Sequence, residues 1–197
     1  MANPKKITEI PTIDVVMVVV EAGEESYALD TANKIEVEAQ IETTDAVKLI
    51  VKGRLLAQKN ETSTLTGNKI TLTDNVFAPE LVKFLQGGTI KYWTTEDKTA
   101  EAEAKTEFGV SSYTPPTTGS GEKGKVFKLH AYSAQYDTSG QIVQYEKITY
   151  PNCQGVPVAF NSEDGAFRAP EYTINSAPKS NEAPYVISYV KELPSVS

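Results

Sequence analysis

Residues 35–42 alternate without a break: Ile35, Val37, Ala39 and Ile41 fall on one side of an extended chain, and Glu36, Glu38, Gln40 and Glu42 on the other. A period of two marks a strand with one face on a core and the other in solvent. It excludes a helix here, because a 3.6-residue period would mix the two sets around the axis. The stretch points to antiparallel sheet, which needs a partner strand. Thr43-Thr44-Asp45 reads as the turn and residues 46–55 as the returning strand. Pairing across that turn sets Ile41 opposite Val47, Ala39 opposite Leu49 and Val37 opposite Val51, so the apolar partners share a face. The opposite face then brings Glu36 to Lys52 and Gln40 to Lys48.

Only one stretch reads clearly as a helix, at about 79–86. Pro79 suits the first helical position, where its missing N–H is not needed, and Glu80 meets the positive end of the helix dipole. Gly87 and Gly88 supply a left-handed residue to end it. Leu81, Val82 and Leu85 form one apolar stripe with Phe84 beside it. A helix this short is not stable alone in water, so it must dock on the sheet formed by the segments around it.

The rest reads as strand or loop. Residues 13–21 form a strand apolar on both faces, read as a central core strand. Residues 22–33 and 58–68 read as loops, and 69–73 and 89–94 as short strands flanking the helix. Residues 95–125, rich in Thr, Glu, Ala, Lys, Gly, Ser and Pro, form a polar loop too long for a plain connection, either mobile or ordered by a partner. A second hairpin joins 126–136 to 141–150 around Asp137-Thr138-Ser139-Gly140. Further strands are expected at 156–160, 172–174 and 185–190. With nine to eleven strands, the expected fold is mainly β: an antiparallel sandwich or barrel-like subunit with one flanking helix. It is read as a single domain, 1–197, with an N-terminal arm at 1–12.

Composition narrows the function. Asp and Glu outnumber Lys and Arg by 26 to 19, and the cations are scattered, which argues against a protein that binds nucleic acid by neutralising phosphates. A weakly acidic wall would instead let nucleic acid pass without sticking. One cysteine, Cys153, makes no intrachain disulfide, and one histidine, His130, leaves little from which to build a triad or a metal site. His130 is expected to be a partly exposed structural residue, and Cys153 to lie in a turn. Gly119 to Lys125 matches G-x-x-x-x-G-K, but Val126 stands where a magnesium-binding Ser or Thr is required, and no helix is expected to follow. No catalytic residue, cofactor or metal is expected. The longest apolar run, 15–20, is too short to span a membrane. Without an apolar signal core near the N-terminus, the chain is expected to be soluble and cytoplasmic where it is made.

Two stretches resemble phage major tail tube proteins, including those of phage-tail-like bacteriocins. Residues 70–90, ITLTDNVFAPELVKFLQGGTI, are similar to their helix region. Residues 145–190, YEKITYPNCQGVPVAFNSEDGAFRAPEYTINSAPKSNEAPYVISYV, are similar to their C-terminal half, and together the two cover about a third of the chain. The resemblance implies a subunit that forms hexameric rings stacked into a hollow tube. Its partners would be further copies of itself and other tail proteins, such as tape measure, baseplate and terminator, with DNA only as passing cargo and no membrane binding. It would belong to a virion tail or phage-tail-like particle assembled in the host bacterial cytoplasm. Under that resemblance Pro79, Leu81, Val82, Phe84 and Leu85 pack the subunit, and Glu36, Glu38, Gln40, Glu42, Lys48 and Lys52 form a lumen or intersubunit face. Glu107, Phe108 and Tyr113 belong to a loop that would reach the next ring. The alternative is a carbohydrate- or cell-surface-binding β-sandwich module, for which ten tyrosines and one tryptophan supply stacking groups.

Overall fold

In the computed structural model of the chain, residues 11–93, 109–160, 162–165 and 168–196 are described. They form β1 (Thr12–Ala22), β2 (Glu25–Leu29), β3 (Ala32–Thr44), β4 (Val47–Val51), β5 (Arg54–Lys59), β6 (Thr62–Asp74), α1 (Pro79–Gln86) and β7 (Thr89–Tyr92). After these come β8 (Val110–Thr114), β9 (Val126–Tyr136), β10 (Ile142–Gly155), β11 (Glu171–Ser176) and β12 (Val186–Val190). The fold is antiparallel β with a single short helix, and its sheets do not close into a barrel. Twelve strands among the described residues exceed the nine to eleven expected, because β2 and β8 lie in stretches read as loops and the strand expected at 46–55 is replaced by two, β4 and β5. Residues 156–160, expected as a strand, are not one.

The main sheet runs β2-β1-β9-β10-β11-β6-β3, with β12 beside β10. It coils until β1 and β3, far apart in that order, approach each other without forming a ladder. The bend is made in β10, which pairs β12 over residues 145–149 and β11 over 153–155. Between them a register shift falls at Pro151-Asn152, where Asn152 takes φ 48°. Proline donates no ladder hydrogen bond, so this is where a strand can leave one layer for the next.

Inside the coil lie Val18 and Val20 of β1, Phe127 and Leu129 of β9, Ile70 and Leu72 of β6, and Tyr172 and Ile174 of β11. The helix closes this core with Leu81, Val82, Phe84 and Leu85, as the stripe requires. It lies so close to β10 that a Cβ on Gly155 would sit 2.6 Å from the Leu85 Cβ. Glycine at 155 is therefore a packing requirement. Gly87, at φ 86°, ends the helix, its N–H donating to the Lys83 carbonyl at 2.8 Å.

Strand β1 is buried on both faces, as its sequence implies. Val18 and Val20 enter the main core, while Met17 and Val19 meet Tyr132 in a smaller cluster on the other side. The hairpin of β9 and β10 forms around Asp137, whose Oδ1 accepts from the backbone N–H groups of Ser139 and Gln141 at 2.8 and 2.9 Å.

The expected hairpin over 35–55 does not form. β3 pairs with β6, placing Val37 opposite Ile70, Ala39 opposite Asn68 and Ile41 opposite Leu65. Residues between them fold back as a separate ribbon in which Leu49 faces Ala57 and Val51 faces Arg54. The turn is Lys52-Gly53, with φ 47° and 77°, the two positive values of a type I′ hairpin turn. The partner of β3 thus lies further along the chain, and of the face expected on a core only Ile35 packs against one, whereas Val37, Ala39 and Ile41 are exposed. Thr62, Ser63, Thr64 and Thr66, taken for loop residues, belong to that partner strand, where threonine's branched side chain fits the pleat.

The 95–125 stretch is also corrected within its described part. β8 pairs with β7, setting Ile90 opposite Tyr113. Lys125 donates its N–H to the Phe84 carbonyl at 3.0 Å, and Glu122 Oε1 accepts the Gly88 N–H at 2.9 Å. Residues 122–125 therefore strap the C-terminal end of the helix, and from Val126 onward the chain is the strand β9.

Candidate self-association surface

Every residue from 36 to 64 is exposed. This span holds most of β3, all of β4 and β5, and the start of β6, forming one arm that no other described residues cover. Its surface is not polar throughout. Leu49, Ile50, Leu55 and Leu56 are 54–59% exposed, and Val37, Ile41, Val47 and Val51 are also open to solvent. Within the ribbon, Leu49 and Ala57 lie on one face while Ile50 and Leu55 lie on the other. Apolar groups thus stand on both sides of two strands. Such a ribbon is marginal alone in water, and burial of each large side chain is worth about 1.5–3 kcal/mol. A contiguous exposed set of this kind marks an interaction surface.

The edges add to it. β3 ends the sheet and pairs only with β6, so the backbone groups along its outer side are unpaired by any described strand. β12 likewise pairs only with β10, and its Val186, Ile187 and Tyr189 are exposed. Unpaired edges are templates for another chain.

The residues singled out from the sequence divide into three groups. Leu81, Val82, Phe84 and Leu85 are buried and Pro79 is half-buried at the start of the helix, so this set packs within the subunit. Glu36, Glu38, Gln40 and Glu42 share one exposed face of β3, but Lys48 and Lys52 do not stand opposite them. Glu36 meets Lys34 at 2.6 Å and Glu38 meets Lys69 at 3.9 Å instead. Of the expected stacking loop, Glu107 and Phe108 lie outside the described residues. Tyr113 is held on the helix end: its hydroxyl donates to the Gly87 carbonyl at 2.8 Å and accepts from Gln86 Nε2 at 2.7 Å. The apolar members of the ribbon were read from sequence as core partners. The signal that could have separated them is the Lys52-Gly53 turn, which makes residues 47–59 a hairpin by themselves.

The groups with catalytic potential are occupied structurally. His130 is buried, not partly exposed, because the second cluster covers that face of β9. Its Nδ1 lies 2.9 Å from Thr149 Oγ1 and its Nε2 3.3 Å from Glu21 Oε2. Burial, with Lys147 and Lys128 nearby, holds the imidazole below its ordinary pKa and outweighs the opposing pull of Glu21. A neutral ring satisfies both contacts, accepting from Thr149 and donating to Glu21. Cys153 sits buried in β10, not in a turn, and burial pushes its thiol up to about 11. Its Sγ–H donates to the Tyr150 carbonyl at 3.3 Å. Tyr132, Tyr150 and Tyr172 are core residues, which removes them from any sugar-stacking surface. Among the described residues no three His, Cys, Asp or Glu side chains gather to hold a metal ion.

No protein-family model matches the chain. No curated protein matches it either. Among solved structures, it is similar to a chain in the extended-state sheath–tube complex of an extracellular contractile injection system, PVC, with 12% identity and a TM-score of 0.37 over 90% of this chain and 92% of that one. It is also similar to a chain in the six-fold symmetrised baseplate of the anti-feeding prophage, with 8% identity and a TM-score of 0.30 over 97% and 98% of the respective chains. Identities and TM-scores this low leave the functional argument to the residues themselves.

Proposed function

We propose that the chain is the structural subunit of a tube of the phage-tail type, and that its function is to polymerise. Copies join head to tail into hexameric rings, and the rings stack into a hollow conduit for DNA or other cargo, capped and measured by other tail proteins. The particle is a virion tail or a phage-tail-like body assembled in the bacterial cytoplasm. The observation that carries this reading is the exposed arm, 36–64, apolar on both faces of its ribbon and attached to a sheet with unpaired edges. A surface of this chemistry calls for cover, and a repeated head-to-tail contact buries it in every copy. The resemblance of residues 70–90 and 145–190 to tail tube proteins supplies the form of the assembly.

The experiment is to concentrate the purified protein, with and without its natural assembly initiator, and follow it by light scattering and negative-stain microscopy. Rings or tubes of uniform diameter are expected. A protein that stays monomeric at every concentration and salt, with the initiator present, overturns the proposal.

A further inference from the structure

The charges of the arm are segregated. Between residues 36 and 45 it carries Glu36, Glu38, Glu42 and Asp45 and no cation, whereas between 47 and 59 it carries Lys48, Lys52, Arg54 and Lys59 and no anion, with Glu61 following just before β6. The arm therefore has an acidic base on β3 and a basic tip on the β4–β5 ribbon. None of the four tip cations forms an ion pair within the described residues. At the base, Glu36 and Glu38 have the lysine contacts described above, and Glu42 and Asp45 have none. The two halves are complementary, and no ion pair joins them among the described residues.

We infer that the basic tip of one copy docks on the acidic base of the arm of a second copy. This rests on the self-assembly reading above and assigns the surfaces that meet. Two β3 edges set against each other would oppose Glu36, Glu38 and Glu42 with their own counterparts, which like charges across a ladder disfavour. Acidic residues on an edge strand block such a two-fold contact and admit a cationic partner. The tip is that partner, and its Leu49, Ile50, Leu55 and Leu56 gain cover in the same step. Passed from copy to copy, with the tip of each on the base of the next, the contact is heterologous, which is the kind that builds rings and stacks. Exposed charges interact over only about 8 Å at physiological ionic strength, so assembly requires this direct contact and weakens as salt rises.

The test is a charge exchange. The tip variant carries Lys48→Glu, Arg54→Glu and Lys59→Glu; the base variant carries Glu36→Lys, Glu38→Lys and Glu42→Lys. Each alone is expected to raise the concentration needed for assembly by at least about tenfold, and a chain carrying both sets is expected to recover most of that loss. A second measurement is independent of those variants. Arg54→Cys and Glu38→Cys chains, mixed and oxidised, should form a disulfide-linked dimer within the assembly, and either chain alone should not. If wild-type protein assembles while neither charge set alters it, or if no cross-link forms within assembled material, the tip-to-base contact is wrong and the self-assembly reading stands. If wild-type protein never assembles, both fail together. Tip-dependent binding of duplex DNA, without rescue of assembly by the double set, would assign the tip to nucleic acid and overturn the inference.

Discussion

His130 shows how a single residue was legible in kind but not in setting. The sequence identified it as structural because no second histidine or neighbouring cysteine stood ready to form a site, and its contacts with Thr149 and Glu21 are structural ones. Its burial could not be read, because Tyr132 and His130 alternate with Phe127, Leu129 and Ala131 as a polar face would. That face is covered by Met17, Val19, Ala28 and Val190, brought from three other strands. The consequence is a pH dependence. The folded pKa of His130 lies below its ordinary 6.5, so between the two values the unfolded chain holds one more proton than the native one. Stability contributed by the neutral ring is present above 6.5 and is lost as pH falls through that window toward the folded value. Urea unfolding midpoints should drop as pH falls below the ordinary imidazole range, and His130→Gln should flatten that segment of the profile. A wild-type profile no steeper than the variant's would show that His130 does not couple to folding.

Among the elements, the helix was the most legible, since proline, glutamate, an apolar stripe and paired glycines all specify it locally. Its docking was not, because Gly155 and residues 122–125 reach it from distant parts of the chain. Leu85 lies where these meet, fully buried against Gly155. Leu85→Asp should therefore cost about 3–5 kcal/mol, the range for an unpaired charge in a core. Denaturant unfolding measures it, and a loss below about 1 kcal/mol, ordinary for a surface substitution, would mean that the helix is not docked as described. The hairpin over 35–55 failed for a different physical reason. Alternation specifies which face a residue occupies but not which strand lies beside it. Val51 and Ile70 satisfy the same apolar requirement opposite Val37, and the Lys52-Gly53 turn decides between them by pairing β4 with β5.

For the whole molecule, stability is divided unevenly, and that division supports assembly. The coiled sheet and helix bury a main core and a smaller cluster behind β1, whereas the arm has its own hydrogen-bonded ladders but no cover. Ladders without buried side chains open at little free-energy cost, since only backbone pairing opposes the gain in chain entropy. The amide groups of β4, β5 and the paired distal parts of β3 and β6 should therefore exchange rapidly in the isolated subunit. Those of β9 and the adjoining part of β10, between buried faces, should exchange only on global unfolding. Assembly changes one set and not the other: if neighbouring copies cover the arm, its exchange should slow by at least about a hundredfold, while β9 keeps the rate it had. Hydrogen exchange read by mass spectrometry on monomer and tube resolves the two regions as separate peptides. Strong arm protection already present in the monomer would mean that the ribbon is covered within the subunit. Unchanged rapid exchange in the tube would place the assembly contacts elsewhere, on β12 or on the unpaired edge of β2.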